Sequence, residues 1–126
     1  MTRDEMRART KTYASRIVKL CSALPNHWVA QTLGKQLLRS GTSVGANYRA
    51  VCRARSNSDF INKLRIVEEE CDESLFWMEL LVENLLVNPS RLSDLMNEAD
   101  EILAITVASS KTARATQNAS IANRKS

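Results

Sequence analysis

The chain has 126 residues, 44% of them hydrophobic, with only three Gly and two Pro and a formal net charge of +4. That length suits one domain burying roughly two-thirds of its unfolded surface, and so little Gly and Pro excludes a turn-rich β protein in favour of long helices. No run approaches the roughly 20 uncharged apolar residues that a membrane span needs, and the opening MTRDEMRARTK has no apolar stretch of the kind that marks a secretory signal, so a cytoplasmic protein is expected.

The first predicted helix runs from about Arg3 to Ala23, with Met6, Tyr13, Ile17, Leu20 and Leu24 at helical spacing. Pro25 disfavours helical geometry at Leu24 and stops it, and Asn26 is a candidate cap for the next helix. The second runs from about Trp28 to Arg55. Leu33, Leu37, Val44, Tyr48 and Val51 form one stripe; Gly34, Leu38, Gly41, Gly45 and Cys52 form another beside it. Gly41-x-x-x-Gly45 is not a phosphate loop, because no β-type alternation precedes it and no G-K-[ST] follows. Each glycine inside a helix costs about 1 kcal/mol relative to Ala. Close approach of another backbone is the offset expected at Gly41 and Gly45.

Ser56-x-x-Asp59 resembles a capping box and opens a third helix, expected to reach about Leu86. Phe60, Leu64, Val67, Cys71, Leu75, Met78, Leu81 and Leu85 step by threes and fours along it, the strongest periodicity in the chain. Asn88-Pro89 suits an N-cap and first position of a fourth helix. In that helix Leu92, Leu95, Met96, Ala99, Ile102, Leu103 and Thr106 face inward, and it fades after Lys111. Four amphipathic segments with short connections predict an all-α, antiparallel up-down-up-down four-helix bundle. The bundle domain is placed at residues 1–114, and a disordered polar tail at 115–126.

Charge is divided unevenly. Residues 1–57 hold 11 Lys/Arg against 2 Asp/Glu, and residues 58–126 hold 7 against 12. The basic half either packs against the acidic half or presents a face to an anion, nucleic acid being the commonest. Arg7, Arg9, Lys11, Arg16 and Lys19 on the first helix, with Arg49, Arg53 and Arg55 on the second, are the candidate contacts to RNA or DNA. Aromatic residues are few and sit on apolar stripes, which argues against a base-stacking single-strand binder.

Catalytic chemistry finds little support. Cys21, Cys52 and Cys71 are far apart, and His27 is the single histidine, so neither a metal set nor a Ser-His-Asp triad is expected. No cofactor and no enzyme activity are expected. In the run Glu68 to Glu73, Glu69 lies nearest the seam side, with Arg39 or Arg49 as an inter-helix partner.

The stretch QLLRSGTSVGANYRAVCRARSNSDFINKLRIVEEECDESLFWMELL resembles the core signature of the four-helix bundle family encoded in intervening sequences of bacterial 23S ribosomal RNA genes. Leu-Arg-Ser, Ser-Val-x-x-Asn, Asp-Phe-x-x-Lys-Leu and Glu-Glu-x-Asp-Glu-x-x-x-Trp occur in the family's order, and the resemblance covers about residues 13–107. It implies a bundle that assembles into a homo-oligomeric ring, typically a pentamer. Its motif positions Arg39, Ser43, Asn47, Arg49, Asp59, Glu69, Asp72 and Glu73 are read as packing and inter-helix polar residues, with Arg39, Asn47, Glu69 and Asp72 as a structural polar network. The family is related to the accessory variability determinant of diversity-generating retroelements, which binds nucleic acid and partners a reverse transcriptase. The resemblance therefore implies a nucleic-acid-binding ring, with a structural or protein-interaction scaffold, or an accessory to a reverse transcriptase, as alternatives.

Overall fold

The computed structural model describes residues 1–125 and is all-α. Its helices are α1 (Arg3–Ser22), α2 (Trp28–Val51), α3 (Asn57–Glu83) and α4 (Pro89–Lys125). Short connections return each helix alongside its predecessor, which gives the antiparallel bundle. α2 packs broadly against α1 and α3, and α3 against α4, whereas α1 and α4 touch only lightly.

Local chemistry sets most helix ends. Thr2 Oγ1 accepts from Glu5 N–H at 3.1 Å, and Ser56 Oγ accepts from Asp59 N–H at 3.1 Å. Asp59 Oδ2 in turn reaches back to Arg55 N–H at 3.1 Å. Asn88 Oδ1 accepts from Ser90 N–H at 3.0 Å, with Pro89 as the first helical residue. Asn26 does not cap α2: His27 takes that position without a side-chain bond, while Gln31 Nε2 donates to Pro25 O at 3.0 Å.

Three helix ends differ from the sequence expectation. α2 stops at Val51, short of Arg55, because Arg53 and Ala54 N–H groups turn back onto Ala50 and Val51 carbonyls. α3 stops at Glu83 in a Schellman motif, with Leu86 N–H on Leu81 O at 2.9 Å and Leu85 N–H on Val82 O at 3.1 Å. Leu85 takes the left-handed position, φ 59°, and is 86% exposed rather than part of the seam. α4 continues past Lys111 to Lys125 through a segment without Gly or Pro, anchored where Asn57 Nδ2 donates to Ala113 O and Gln117 Nε2 to Ser58 Oγ. Ser126, the last residue of the predicted tail, lies outside the described residues.

The core is one cluster that includes Tyr13, Ile17, Leu37, Val44, Leu64, Val67, Met78, Leu81, Leu92 and Ile102. On α3 the buried line passes through Ile61 and Ser74, with Phe60 and Leu75 partly buried beside it. Ser74 belongs there because its hydroxyl is within 2.7 Å of the Tyr13 hydroxyl, so two buried polar groups satisfy each other. The glycines of α2 face α1. A Cβ on Gly41 would meet Ile17 Cγ1 at 2.7 Å, and one on Gly45 would meet Thr10 O at 3.1 Å. Leu38, placed on the same stripe, is instead exposed.

Candidate nucleic-acid interface

The seam between α1 and α2 is unusually poor in acid. α2 carries no Asp or Glu at all, and the acids of α1 are Asp4 and Glu5 in its first turn. Cations that face this seam therefore find almost no carboxylate within it. Arg7, Lys11 and Arg49 ring a cleft of about 220 Å³ whose floor is the small residues Ala14, Gly45 and Ala46. Arg7 reaches Asp4 at 3.3 Å, but both side chains are more than half exposed, so the pair is weak. Lys11 and Arg49 are exposed and form no ion pair among the described residues. Three cations around one cleft repel each other unless solvent or a bound anion lies between them.

The α1/α4 side uses its cations differently. Arg9 binds Glu98 bidentately, Nε to Oε2 at 2.9 Å and Nη2 to Oε1 at 2.6 Å, and its Nη2 also meets Glu101. Its guanidinium holds the Glu98 carboxyl below the usual carboxylate range. Arg9 is therefore a bundle clamp and not the free nucleic-acid contact expected of it, because two glutamates three residues apart on α4 face it. Arg16 and Lys19 line a second shallow hollow of about 290 Å³ together with Arg91 of α4. Arg91 was not visible as a partner in the sequence, since only the fold brings it to that face. Arg53 and Arg55 are exposed at the turn between α2 and α3, where Arg55 and Arg3 share a hollow of about 240 Å³.

The predicted polar network is only partly assembled. Arg39 pairs with Glu73 at 2.5 Å and Glu70 at 3.4 Å on α3. Glu69 and Asp72 are exposed, and Asn47 Nδ2 donates to Ser43 O one turn back on its own helix. The inward-facing acids are one position away: Glu70 and Glu73 toward α2, and Glu68 toward α4, where it accepts from Ser110 Oγ at 2.8 Å. Arg49 has no acidic partner among the described residues, in contrast to Arg39. Cys21 and Cys71 donate to the carbonyls of Gly34 and Ala99, and burial pushes their thiols up to about 11 and about 12. Thiols in that state are poor nucleophiles. Among the described residues no group of His, Cys, Asp and Glu is placed to hold a metal ion. No described helix is long and apolar enough to cross a membrane.

A family model described as 23S rRNA-intervening sequence protein matches residues 4–108. A solved structure of a protein of unknown function from the S23 ribosomal protein family of Bacteroides thetaiotaomicron VPI-5482 superposes with a TM-score of 0.81. It is 35% identical, and the match covers 88% of this chain and 99% of that one. No match is found among curated proteins.

Proposed function

This chain belongs to the 23S rRNA-intervening sequence protein family, and from that premise we propose a non-enzymatic cytoplasmic protein that assembles into a homo-oligomeric ring, typically of five copies, and binds RNA or DNA. The observation that carries the reading is the cleft where Arg7, Lys11 and Arg49 converge beside a helix without any acid. Among the described residues Lys11 and Arg49 form no ion pair, and Arg7 has only a solvent-exposed one with Asp4 on its own helix. Phosphates along a nucleic-acid backbone are a suitable counter-charge, and contact with them carries no sequence preference. A ring would repeat the cleft and the +4 charge of each chain, so weak individual contacts would add through multivalency.

The test is fluorescence anisotropy with labelled RNA and DNA, single- and double-stranded, across about 50–200 mM salt. Binding should weaken steeply with salt, and the Arg7→Glu, Lys11→Glu, Arg49→Glu variant should lose it while keeping its helicity. Retained binding in that variant would remove the assignment. Light scattering alongside should give a mass of several chains, and a monomer would end the ring. A second reading, a protein-interaction scaffold, draws on Trp28 and Leu85, which are 77% and 86% exposed. Both lie at the end of the bundle that holds the α1–α2 and α3–α4 connections. A ring indifferent to nucleic acid would favour it.

A further inference from the structure

At the opposite end from Trp28, the bundle has a hollow of about 580 Å³ where the start of α1, the end of α2, the start of α3 and the middle of α4 converge. It is separate from the cleft of the nucleic-acid reading. The origin of the hollow is geometric. Arg9 fixes the level of α1 against Glu98 and Glu101. At about 1.5 Å per residue the start of α1 then falls opposite residues near Ile105, and α4 runs on beyond it. The stretch Ile105 to Thr116 is left with an uncovered face.

The lining has two characters. Met6, Phe60 and Ile105 give an apolar body. At its edge stand one cation and one phenol. Arg3 lies over the Phe60 ring, 4.6 Å from guanidinium carbon to centroid, and makes no ion pair among the described residues. Tyr48 is 6% exposed as a residue and lines the hollow, and its hydroxyl is not among the buried groups left without a partner, so it opens to the solvent that fills the hollow. A phenol with an apolar body and a wet hydroxyl can donate to a ligand that displaces the solvent. Arg3 is close enough for its charge to oppose the rise that burial imposes on Tyr48. Three carboxylates are engaged elsewhere: Glu98 and Glu101 on Arg9, and Asp59 on Lys63 and the Arg55 backbone N–H.

We propose that this hollow binds one small amphipathic anion per chain, an organic molecule with an apolar ring or chain body and a single carboxylate, sulfonate or phosphate group. The body would lie on Met6, Phe60 and Ile105, and the anionic group would meet the Arg3 guanidinium and the Tyr48 hydroxyl. The volume lies within the roughly 300–1,000 Å³ of small-molecule sites. A guanidinium without an ion pair among the described residues and a solvent-facing hydroxyl donor beside an apolar floor set the ligand class.

The test uses two dyes of similar body, anionic 8-anilinonaphthalene-1-sulfonate and neutral N-phenyl-1-naphthylamine, titrated into the full chain in its native assembly. The sulfonate should bind with a stoichiometry of one per chain. Arg3→Gln should weaken it about tenfold or more and leave the neutral dye unchanged. Ala108→Phe, at an exposed α4 position on the hollow's wall, should weaken both dyes while the far-ultraviolet circular dichroism is retained. Tyr48→Phe should weaken the sulfonate alone. Absent sulfonate binding, or binding indifferent to both Arg3→Gln and Ala108→Phe, would overturn the proposal. Arg3 is exposed in the first turn of α1, so the far-ultraviolet circular dichroism of Arg3→Gln should match the parent's.

Discussion

α1 meets its two neighbours in opposite ways. Toward α2 the contact is close and apolar: Gly41 and Gly45 bring the backbones together, and at the rim Lys11 and Arg49 form no ion pair among the described residues while Arg7 has only an exposed one with Asp4. Toward α4 the contact is light, and one arginine with two glutamates spans the gap. The difference lies in the facing helix. α2 offers no carboxylate, and α4 offers Glu98 and Glu101 at the spacing of one helical turn. Arginines on one helix therefore become structural or available according to the charge of what they face, not according to their own spacing.

The largest effect should come from the close side. Gly41→Val places a branched side chain where Ile17, fully buried, already stands within 3 Å of the position of a Cβ. Overpacking of this kind costs about 1–3 kcal/mol or occasionally more, and the gain in helix propensity over glycine is at most about 1 kcal/mol. Urea unfolding should show a net loss of about 2 kcal/mol or more. Stability equal to the parent would mean that the seam is looser than its glycines imply. Next comes the clamp. Arg9→Gln leaves Glu98, whose side chain is 18% exposed, without its bidentate partner. The expected loss is about 1.5–3 kcal/mol, with nucleic-acid binding unchanged.

The architecture could be read because its signals are periodic. Helix stripes, the Ser56 cap and the Asn88-Pro89 start depend on neighbours a few residues away, and short connections leave few ways to pack four helices. The sites depend on pairs far apart in sequence. Nothing near Arg9 indicates that Glu98 faces it, and nothing near Glu69 indicates that Glu70 and Glu73 are the acids turned toward α2. A rotation of one residue, about 100°, separates those readings, and a helix bearing acids at 68, 69, 70, 72 and 73 does not declare which way it turns. The end of α4 was missed for a related reason. The residues after Lys111 are polar enough to read as a fading helix, with a tail over 115–126, yet Asn57 and Ser58 of α3 hold Ala113 and Gln117.

Lys11→Gln and Arg49→Gln should behave as the reverse of Arg9→Gln. Each removes an exposed cation without an acidic partner among the described residues, so stability should change by about 0.5 kcal/mol or less. Each should lower the slope of log affinity against log salt by about 1. A variant of this pair that lost stability but not affinity would place it on the structural side of the comparison, beside Arg9.

The smallest effect is also the one with the most distinctive sign. Glu98 and Glu70 are both partly buried and both meet an arginine, yet their protonation is displaced in opposite directions. Arg9 draws the Glu98 pKa below its ordinary value of 4.5. Burial and the adjacent Glu73 raise that of Glu70 above 4.5, with Arg39 opposing. Near pH 4.5 the unfolded chain binds more protons than the folded one at position 98, so the stabilisation from Glu98 is complete above that value and is lost as pH falls through its folded pKa. At position 70 the folded chain binds more, so the ionised carboxylate is a small cost at neutral pH that disappears on acidification. Glu98→Gln should therefore destabilise at pH 7 and converge on the parent in acid. Glu70→Gln should be neutral or stabilising by about 0.5 kcal/mol or less at pH 7, converging from the other side. Parallel curves for the two variants in urea melts from pH 7 to 3.5 would mean that Arg39 neutralises its acids as fully as Arg9 does, and that the α2/α3 seam is also clamped by charge.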